Sequence, residues 1–475
     1  AMGSLYNAKF VGSPVLITAG QQEQGHGLTE PLLYDPLVPI AQPVVKWAIE
    51  VNRLEDLPRI VHRAAKVALT PPTGPVFISL PGDILNMEGE LDLGAPTRVD
   101  TRTRPVDEVL QTLARRLLQA ERPAIIAGHE LQLEDALAEA GALAQSLGAA
   151  VYQQTVQHGA HFISEHPNFV APLSRTQADV RRALSQHDLL ICLGSDVLRM
   201  SVYSPVDPLP DDLPVIQLGQ RDWEMGKNYP AENAVRCALK PTLPALCAAI
   251  EGCASEKDKA AVRARNTALL EDNWTQRRAR LVEELAPRVD ASPIDPDCLM
   301  QRIADRVPTD GVVVDESILS GRLLQHLYPY RDRNAFFGNA SGGIGFSIAA
   351  AIGVSLALPG RPLVATIGDG SAMYSIQALW TAAHHELPIT FVICNNGGYR
   401  IIKERLFAFH RNNRFIGMDF ENPALDFVKI AQGMGLEARR IDTLSDFDDA
   451  LAAGIASGRP NLLDVHVARG DLASR

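Results

Sequence analysis

Several short segments of this chain are apolar at nearly every position, not at every second one. Leu363-Val-Ala-Thr-Ile367 and Ile389-Thr-Phe-Val-Ile-Cys394 show this most clearly. Gly311-Val-Val-Val-Asp315, Leu462–Val467, Leu189-Leu-Ile-Cys-Leu-Gly194 and Val215-Ile-Gln-Leu-Gly219 follow the same rule. A strand with one wet face alternates apolar and polar residues, so an unbroken run demands cover on both faces. Parallel strands sandwiched between helices meet that demand, which predicts an α/β chain.

At 475 residues the chain exceeds one ordinary core. Two proline-bearing stretches divide it: Ala95–Pro105 with two prolines and Pro287–Pro296 with three. The division predicts three doubly wound parallel-sheet domains, over 1–95, 105–285 and 296–475. An amphipathic helix is expected at Leu57–Leu69, strands at Val15–Ala19, Val76–Ser79 and Pro123–Gly128, and one long charged helix over Ser255–Leu285. The opening Leu5-Tyr-Asn-Ala8 reads as helix and Pro14–Gly20 as a buried strand. A chain that opens inside a helix is expected to have lost an upstream part, which leaves the first domain incomplete.

Composition removes other classes. The balance of 45 basic against 56 acidic residues, net −11, lacks the electropositive footprint that nucleic acid requires. The best apolar stretch, Ile344–Leu358, is short and interrupted by Gly353 and Ser355, so no membrane span is expected. The N-terminus carries neither a basic leader nor a signal-type core, and a cytoplasmic protein is expected. The six cysteines (Cys192, Cys237, Cys247, Cys253, Cys298 and Cys394) form no C-x-x-C pair. They are expected as reduced core residues, not as a zinc site or a disulfide frame.

The chemistry lies where two apolar runs end. Leu363–Ile367 enters Gly368-Asp369-Gly370-Ser371, and Ile389–Cys394 enters Asn395-Asn396-Gly397-Gly398. Ligands of open parallel sheets sit at the carboxyl ends of the strands. Glycine there lets backbone approach a ligand, and exposed N–H groups suit a diphosphate. Asp369 and Asn396 offer a carboxylate and an amide oxygen, hard donors that suit Mg²⁺ beside phosphate. Their spacing of 27 residues accommodates one helix and the next strand, so both would emerge at the same sheet edge. Alone, Gly-Asp-Gly is a turn and Asn-Asn-Gly a loop. At two strand ends with this spacing they read as one site.

A Gly-Asp-Gly followed by Asn-Asn after a helix and a strand resembles the cofactor motif of the thiamin-diphosphate-dependent enzymes. The resemblance extends over essentially the whole chain, and the benzoylformate decarboxylases are the branch it resembles most. Ala1-Met-Gly3, Thr18-Ala-Gly-Gln-Gln22, Val45-Lys-Trp47 and Gly342-Gly-Ile-Gly345 support it. The run from Gly368 to Ala383 carries it. The resemblance implies that 1–95 is the remainder of a pyrimidine-binding domain, 105–285 a Rossmann-like middle domain and 296–475 the diphosphate- and Mg²⁺-binding domain. It implies Asp369, Asn396 and the Gly398 carbonyl as metal ligands, with Gly368, Gly370, Ser371 and Tyr374 at the diphosphate. The Gly342 carbonyl would accept from the 4′-amino group, and Ile344 would wedge between the cofactor rings. The implied reaction is ylide addition to a 2-oxo acid, loss of CO₂ and release of an aldehyde. A homodimer or homotetramer is implied too, because the family's cofactor touches two subunits.

Some features depart from that pattern. The family's activating glutamate, and a histidine-bearing segment of the benzoylformate decarboxylases, precede the point that Ala1–Gly3 matches. Glu23 and Glu30 follow the matched strand and take no such role, so no catalytic side chain is assigned. At the substrate positions stand Ile401 and Arg405, the latter either a carboxylate binder or a solvated helix residue. Asp295, before Pro296-Asp297, stands where the family carries a second histidine. His384-His385 reads as a helix end and His410 as part of a polar loop. Two alternatives stay open: an acetolactate-synthase-like carboligase, and a catalytically defective truncated scaffold. The middle domain's rhythm fits either a degenerate nucleotide site or none.

Overall fold

In a computed structural model, residues 2–201 and 203–470 are described, which leaves Ala1 of the opening motif outside. Three parallel sheets of 3, 6 and 6 strands follow one another along the chain. The first holds Val76–Pro81 between Leu16–Gln21 and Trp47–Glu50. The second runs, from edge to edge, Phe169–Pro172, Ala150–Gln153, Pro123–Ala127, Leu189–Leu193, Val215–Gly219, Asn233–Arg236. In the third the order is Phe336–Gly338, Val312–Glu316, Leu363–Gly368, Ile389–Asn395, Asn461–His466, Glu437–Ile441.

Successive residues of the apolar runs point into different cores, which is why the runs do not alternate. In the third sheet Val312, Val314, Ala365, Ile367, Phe391 and Ile393 enter one layer. Val313, Val364, Val392, Cys394, Leu463 and Val465 enter the other. The middle sheet divides likewise, with Ile125, Ile191 and Ile216 on one side and Ala124, Ile126 and Leu190 on the other. At roughly 25 cal/mol per Å² of apolar area removed from water, this two-sided burial is the principal stabilising term.

Each six-stranded sheet reverses its winding, the third a second time where Asn461–His466 returns inside the edge strand Glu437–Ile441. In the middle sheet the reversal falls between Pro123–Ala127 and Leu189–Leu193, and in the third between Val312–Glu316 and Leu363–Gly368. Such reversals open a crevice at the carboxyl ends of the flanking strands.

Several expectations need correction. Leu16–Gln21 is not a buried strand: its residues alternate between exposed and half-buried, and it forms an edge of its sheet. The stretch 255–285 is two helices, Glu256–Leu269 and Trp274–Leu285, because Asn273 breaks it and caps the second by accepting from the Gln276 amide at 3.2 Å. His410 closes the helix Arg400–His410 and is not in a loop. Four cysteines are buried as expected, while Cys247 is half-buried and Cys253 exposed; all six are free thiols. Among the described residues no helix is long and apolar enough to cross a membrane.

Candidate functional site

The helix Asp369–Ala372 leaves the third strand of the last sheet at the crevice, so Asp369 emerges beside the next strand's loop. Its Oδ2 accepts from the backbone N–H groups of Asn396 at 3.1 Å, Gly397 at 2.7 Å and Gly398 at 3.0 Å. Its Oδ1 accepts from Gly370 at 2.8 Å. The two motifs predicted to converge therefore meet through one carboxylate. Burial pushes the Asp369 carboxyl up to about 6, against the pull of the four N–H groups.

The Asn396 Oδ1 atom is buried and has no hydrogen-bond partner. A buried acceptor left unpaired costs about 1–3 kcal/mol, and a cation would relieve it. Asp369 Oδ1, which takes one N–H, retains lone-pair capacity. The donors are a carboxylate, an amide oxygen and a carbonyl, the set that suits Mg²⁺. The residues fit such an ion.

Glycine is required here by space. A Cβ on Gly398 would lie 2.3 Å from the Met418 carbonyl oxygen, and one on Gly370 would lie 2.6 Å from the Tyr399 ring. The close approach at Gly398 is the pairing with Asp419, continued by Tyr399 N–H to Met418 O at 2.9 Å and Phe420 N–H to Gly397 O at 3.0 Å. Gly398 O meanwhile accepts from the Arg400 amide at 2.8 Å.

A second wall of the crevice is the turn Gly342–Gly345. Asn339 Nδ2 donates to Gly343 O at 2.6 Å, and the Gly342 amide donates back to Asn339 Oδ1 at 3.1 Å. Gly342 and Gly345 have φ of +81° and +90°, where a side chain is strained. A Cβ on Gly345 would also come within 2.7 Å of the Tyr374 Cβ, so the turn rests against Tyr374. Ile344 keeps 37% of its surface and Tyr374 keeps 59%, which leaves both on the open rim. Ser371 is half-buried in the first turn of the helix that Asp369 begins, and Gly368 is the N-cap residue of that helix.

The substrate candidates sit further out. Ile401 is half-buried and Arg405 exposed on the helix Arg400–His410, and Arg405 forms no ion pair among the described residues. Asp295 caps the helix Pro296–Arg306 by accepting from Asp297 and Cys298 amides, which is a structural task.

Three features escaped the sequence reading. Glu316, last residue of the strand Val312–Glu316, is 2% exposed and accepts from Gly345 and Ser347 amides. A polar residue closing an apolar run was the signal, the same one that marked Asp369. In the middle sheet, Glu130 fills the crevice. Its Oε2 accepts from the Gln220 amide at 2.6 Å, and a Cβ on Gly194 would lie 2.3 Å from the Glu130 Cβ. Burial pushes Glu130 up to about 7. Beside it, His129, His158 and His161 are buried together with ring centroids 4.9 to 6.5 Å apart.

Comparison with known proteins bears on the whole architecture. Residues 319–465 match the family model described as thiamine pyrophosphate enzyme, C-terminal TPP binding domain. Residues 110–246 match that of the thiamine pyrophosphate enzyme central domain. A benzoylformate decarboxylase from Pseudomonas aeruginosa is 30% identical over 98% of this chain and 84% of its own length. The chain belongs to the thiamin-diphosphate-dependent enzymes. The acetolactate synthase isozyme 2 large subunit of Escherichia coli is 26% identical over 96% of this chain and 79% of its own. Among solved structures, a thiamine diphosphate-dependent 4-hydroxybenzoylformate decarboxylase from Rhodococcus jostii aligns with a TM-score of 0.84 at 28% identity, covering 98% of this chain and 85% of that one. Benzoylformate decarboxylase from Polynucleobacter necessarius aligns with a TM-score of 0.84 at 25% identity, covering 99% and 85%. Within this family, the stretch that carries Asp369 and Asn396 lies inside the matched thiamin-diphosphate-binding domain.

Proposed function

We propose that the protein is a carboxy-lyase that removes CO₂ from a 2-oxo acid of the benzoylformate type and releases an aldehyde. The observation that carries the site is the orphaned Oδ1 of Asn396 beside the Asp369 carboxylate at the sheet reversal. Asp369, Asn396 and the Gly398 carbonyl would hold Mg²⁺, with Ser371 and Tyr374 at the diphosphate. The Gly342 carbonyl would orient the aminopyrimidine, and Ile344 would support the bend between the rings. Bound thiamin diphosphate supplies the electron sink for the carbon–carbon bond that breaks as CO₂ leaves. The chain's own contribution is to bind and orient it. Ile401 and Arg405 are the proposed substrate-facing residues.

Decarboxylation is supported by the likeness to the two benzoylformate decarboxylases and the 4-hydroxybenzoylformate decarboxylase. Carboligation is the second reading, supported by the acetolactate synthase relative. Calorimetric titration with thiamin diphosphate and Mg²⁺, then product analysis with benzoylformate and with pyruvate, tests the reading. Saturable binding and benzaldehyde with CO₂ are expected. Acetolactate from pyruvate would select carboligation, and binding with no turnover would select a defective scaffold. Absence of binding would overturn the reading.

A further inference from the structure

The helix Phe346–Ala357 begins at the crevice with no capping side chain of its own, since its N-cap residue is Gly345. Its first amides would be left unsatisfied next to an apolar layer. Glu316 meets them from the neighbouring strand: Oε1 accepts from Gly345 N–H at 2.7 Å, and Oε2 accepts from Ser347 N–H at 2.8 Å. A carboxylate at a helix N-terminus is also favoured by the helix dipole. Ser347 Oγ adds a tie to the same strand, donating to Val314 O at 3.0 Å.

The consequence reaches beyond capping. The turn Gly342–Gly345 is clamped at one end by Asn339 and at the other by Glu316, and it contains two glycines at positive φ. Between the clamps Gly343 and Ile344 carry no other tie to the strand layer: the Gly343 amide reaches only Ser341 Oγ, at a long 3.4 Å. With Glu316 removed, the glycines permit many conformations of the turn, and Gly345 loses its fixed place against Tyr374.

We propose that Glu316 is a positioning residue: its carboxylate, by holding the Gly345 and Ser347 amides, fixes the turn that presents Gly342 and Ile344 to the ring end of the cofactor. This rests on the proposed thiamin-diphosphate site. The metal end, at Asp369 and Asn396, is held by separate contacts that do not involve Glu316.

That separation supplies the test. Inorganic pyrophosphate with Mg²⁺ engages only the Asp369 end, whereas thiamin diphosphate with Mg²⁺ engages both. The full chain and its Glu316→Gln and Glu316→Asp variants are titrated with each, and hydrogen exchange is followed in the peptide 339–350. Glutamine keeps the size but loses one acceptor; aspartate keeps the charge but shortens the reach. For both variants we expect thiamin diphosphate affinity to fall about tenfold, exchange at Gly345–Ser347 to rise about tenfold, and pyrophosphate affinity to stay within about twofold. Equal loss of both ligands would overturn the proposal by making Glu316 a general structural residue. Unchanged thiamin diphosphate affinity in both variants would also overturn it. If the unsubstituted protein binds pyrophosphate but not thiamin diphosphate, or neither, the cofactor reading itself fails, and that outcome is visible before any variant is compared.

Discussion

Asp369 is one carboxylate carrying four backbone hydrogen bonds, and this explains why a single side chain can organise two distant motifs. It joins the Gly368–Gly370 turn to the Asn396–Gly398 turn, and it would supply the only formal negative charge from protein to the proposed metal. Asp369→Ala should therefore lower thiamin diphosphate affinity in the presence of Mg²⁺ by at least about 100-fold, since removing a partner from buried donors costs about 1–3 kcal/mol each. Arg405→Ala, on an exposed helix face without an ion pair, should leave that affinity within about twofold and alter which 2-oxo acid is accepted. Paired titration and substrate profiling check both. Affinity retained in Asp369→Ala would remove the metal assignment, and cofactor loss in Arg405→Ala would misplace that helix. Asp369 and Asn396 were legible in the sequence because glycine surrounds polar residues at the ends of apolar runs. Glu316 carried part of that signal but no flanking glycine, and its partners Gly345 and Ser347 lie beyond another strand.

At the scale of elements, the loop after Ala150–Gln153 ties the middle sheet to the last one. Gly338 N–H donates to His158 O at 2.9 Å, and Gln325 Nε2 donates to Gln157 O at 3.0 Å. Arg199 stacks 4.5 Å over the Phe10 ring of the helix Met2–Val11, bringing the first segment to the same junction. Here burial holds His158 down to about 4, and His129 and His161 well below the usual histidine range. His158 Nδ1 lies 3.1 Å from the Val156 carbonyl, which can only accept, so that nitrogen carries the hydrogen. The native state thus disfavours protonation that the unfolded chain accepts near pH 6.5. Stability from these groups is present above about pH 6.5 and is lost as pH falls towards 4. Glu130 and Glu316, each pushed up to about 7, act with the opposite sign between about pH 7 and 4.5. His158→Gln leaves both glutamates in place, so the difference between variant and parent reports the buried histidine cluster. Denaturant unfolding at pH 7 and at pH 4 should show the parent losing on the order of 3 kcal/mol more than the variant. Equal losses would remove the histidine from the acid response.

For the whole molecule, exposed apolar residues on two helices of the last domain bear on assembly: Trp380 keeps 57% of its surface and Leu356 keeps 59%. They lie on helices that pack on each other outside the last sheet, and an apolar surface of this kind favours a partner. A homodimer or dimer of dimers is expected, checked by small-angle scattering at micromolar concentration with cofactor and Mg²⁺; a monodisperse monomer would count against it. The same scale separates what sequence and tertiary structure each decide. Two-sided burial is a property of local composition, so the central strands, the parallel sheets and the strand-end motifs could be read directly. Several edge strands escaped that reading. Glu437-Ala-Arg-Arg-Ile441 is largely polar and becomes a strand only because Asn461–His466 offers it a hydrogen-bonding edge. Phe336–Gly338 is too short for any period to register. The crevices, the three buried histidines and the seat of Glu316 under a helix start likewise depend on strand order. Strand order is set by contacts between residues far apart in the chain, and a pattern along one segment does not encode which neighbour it will meet.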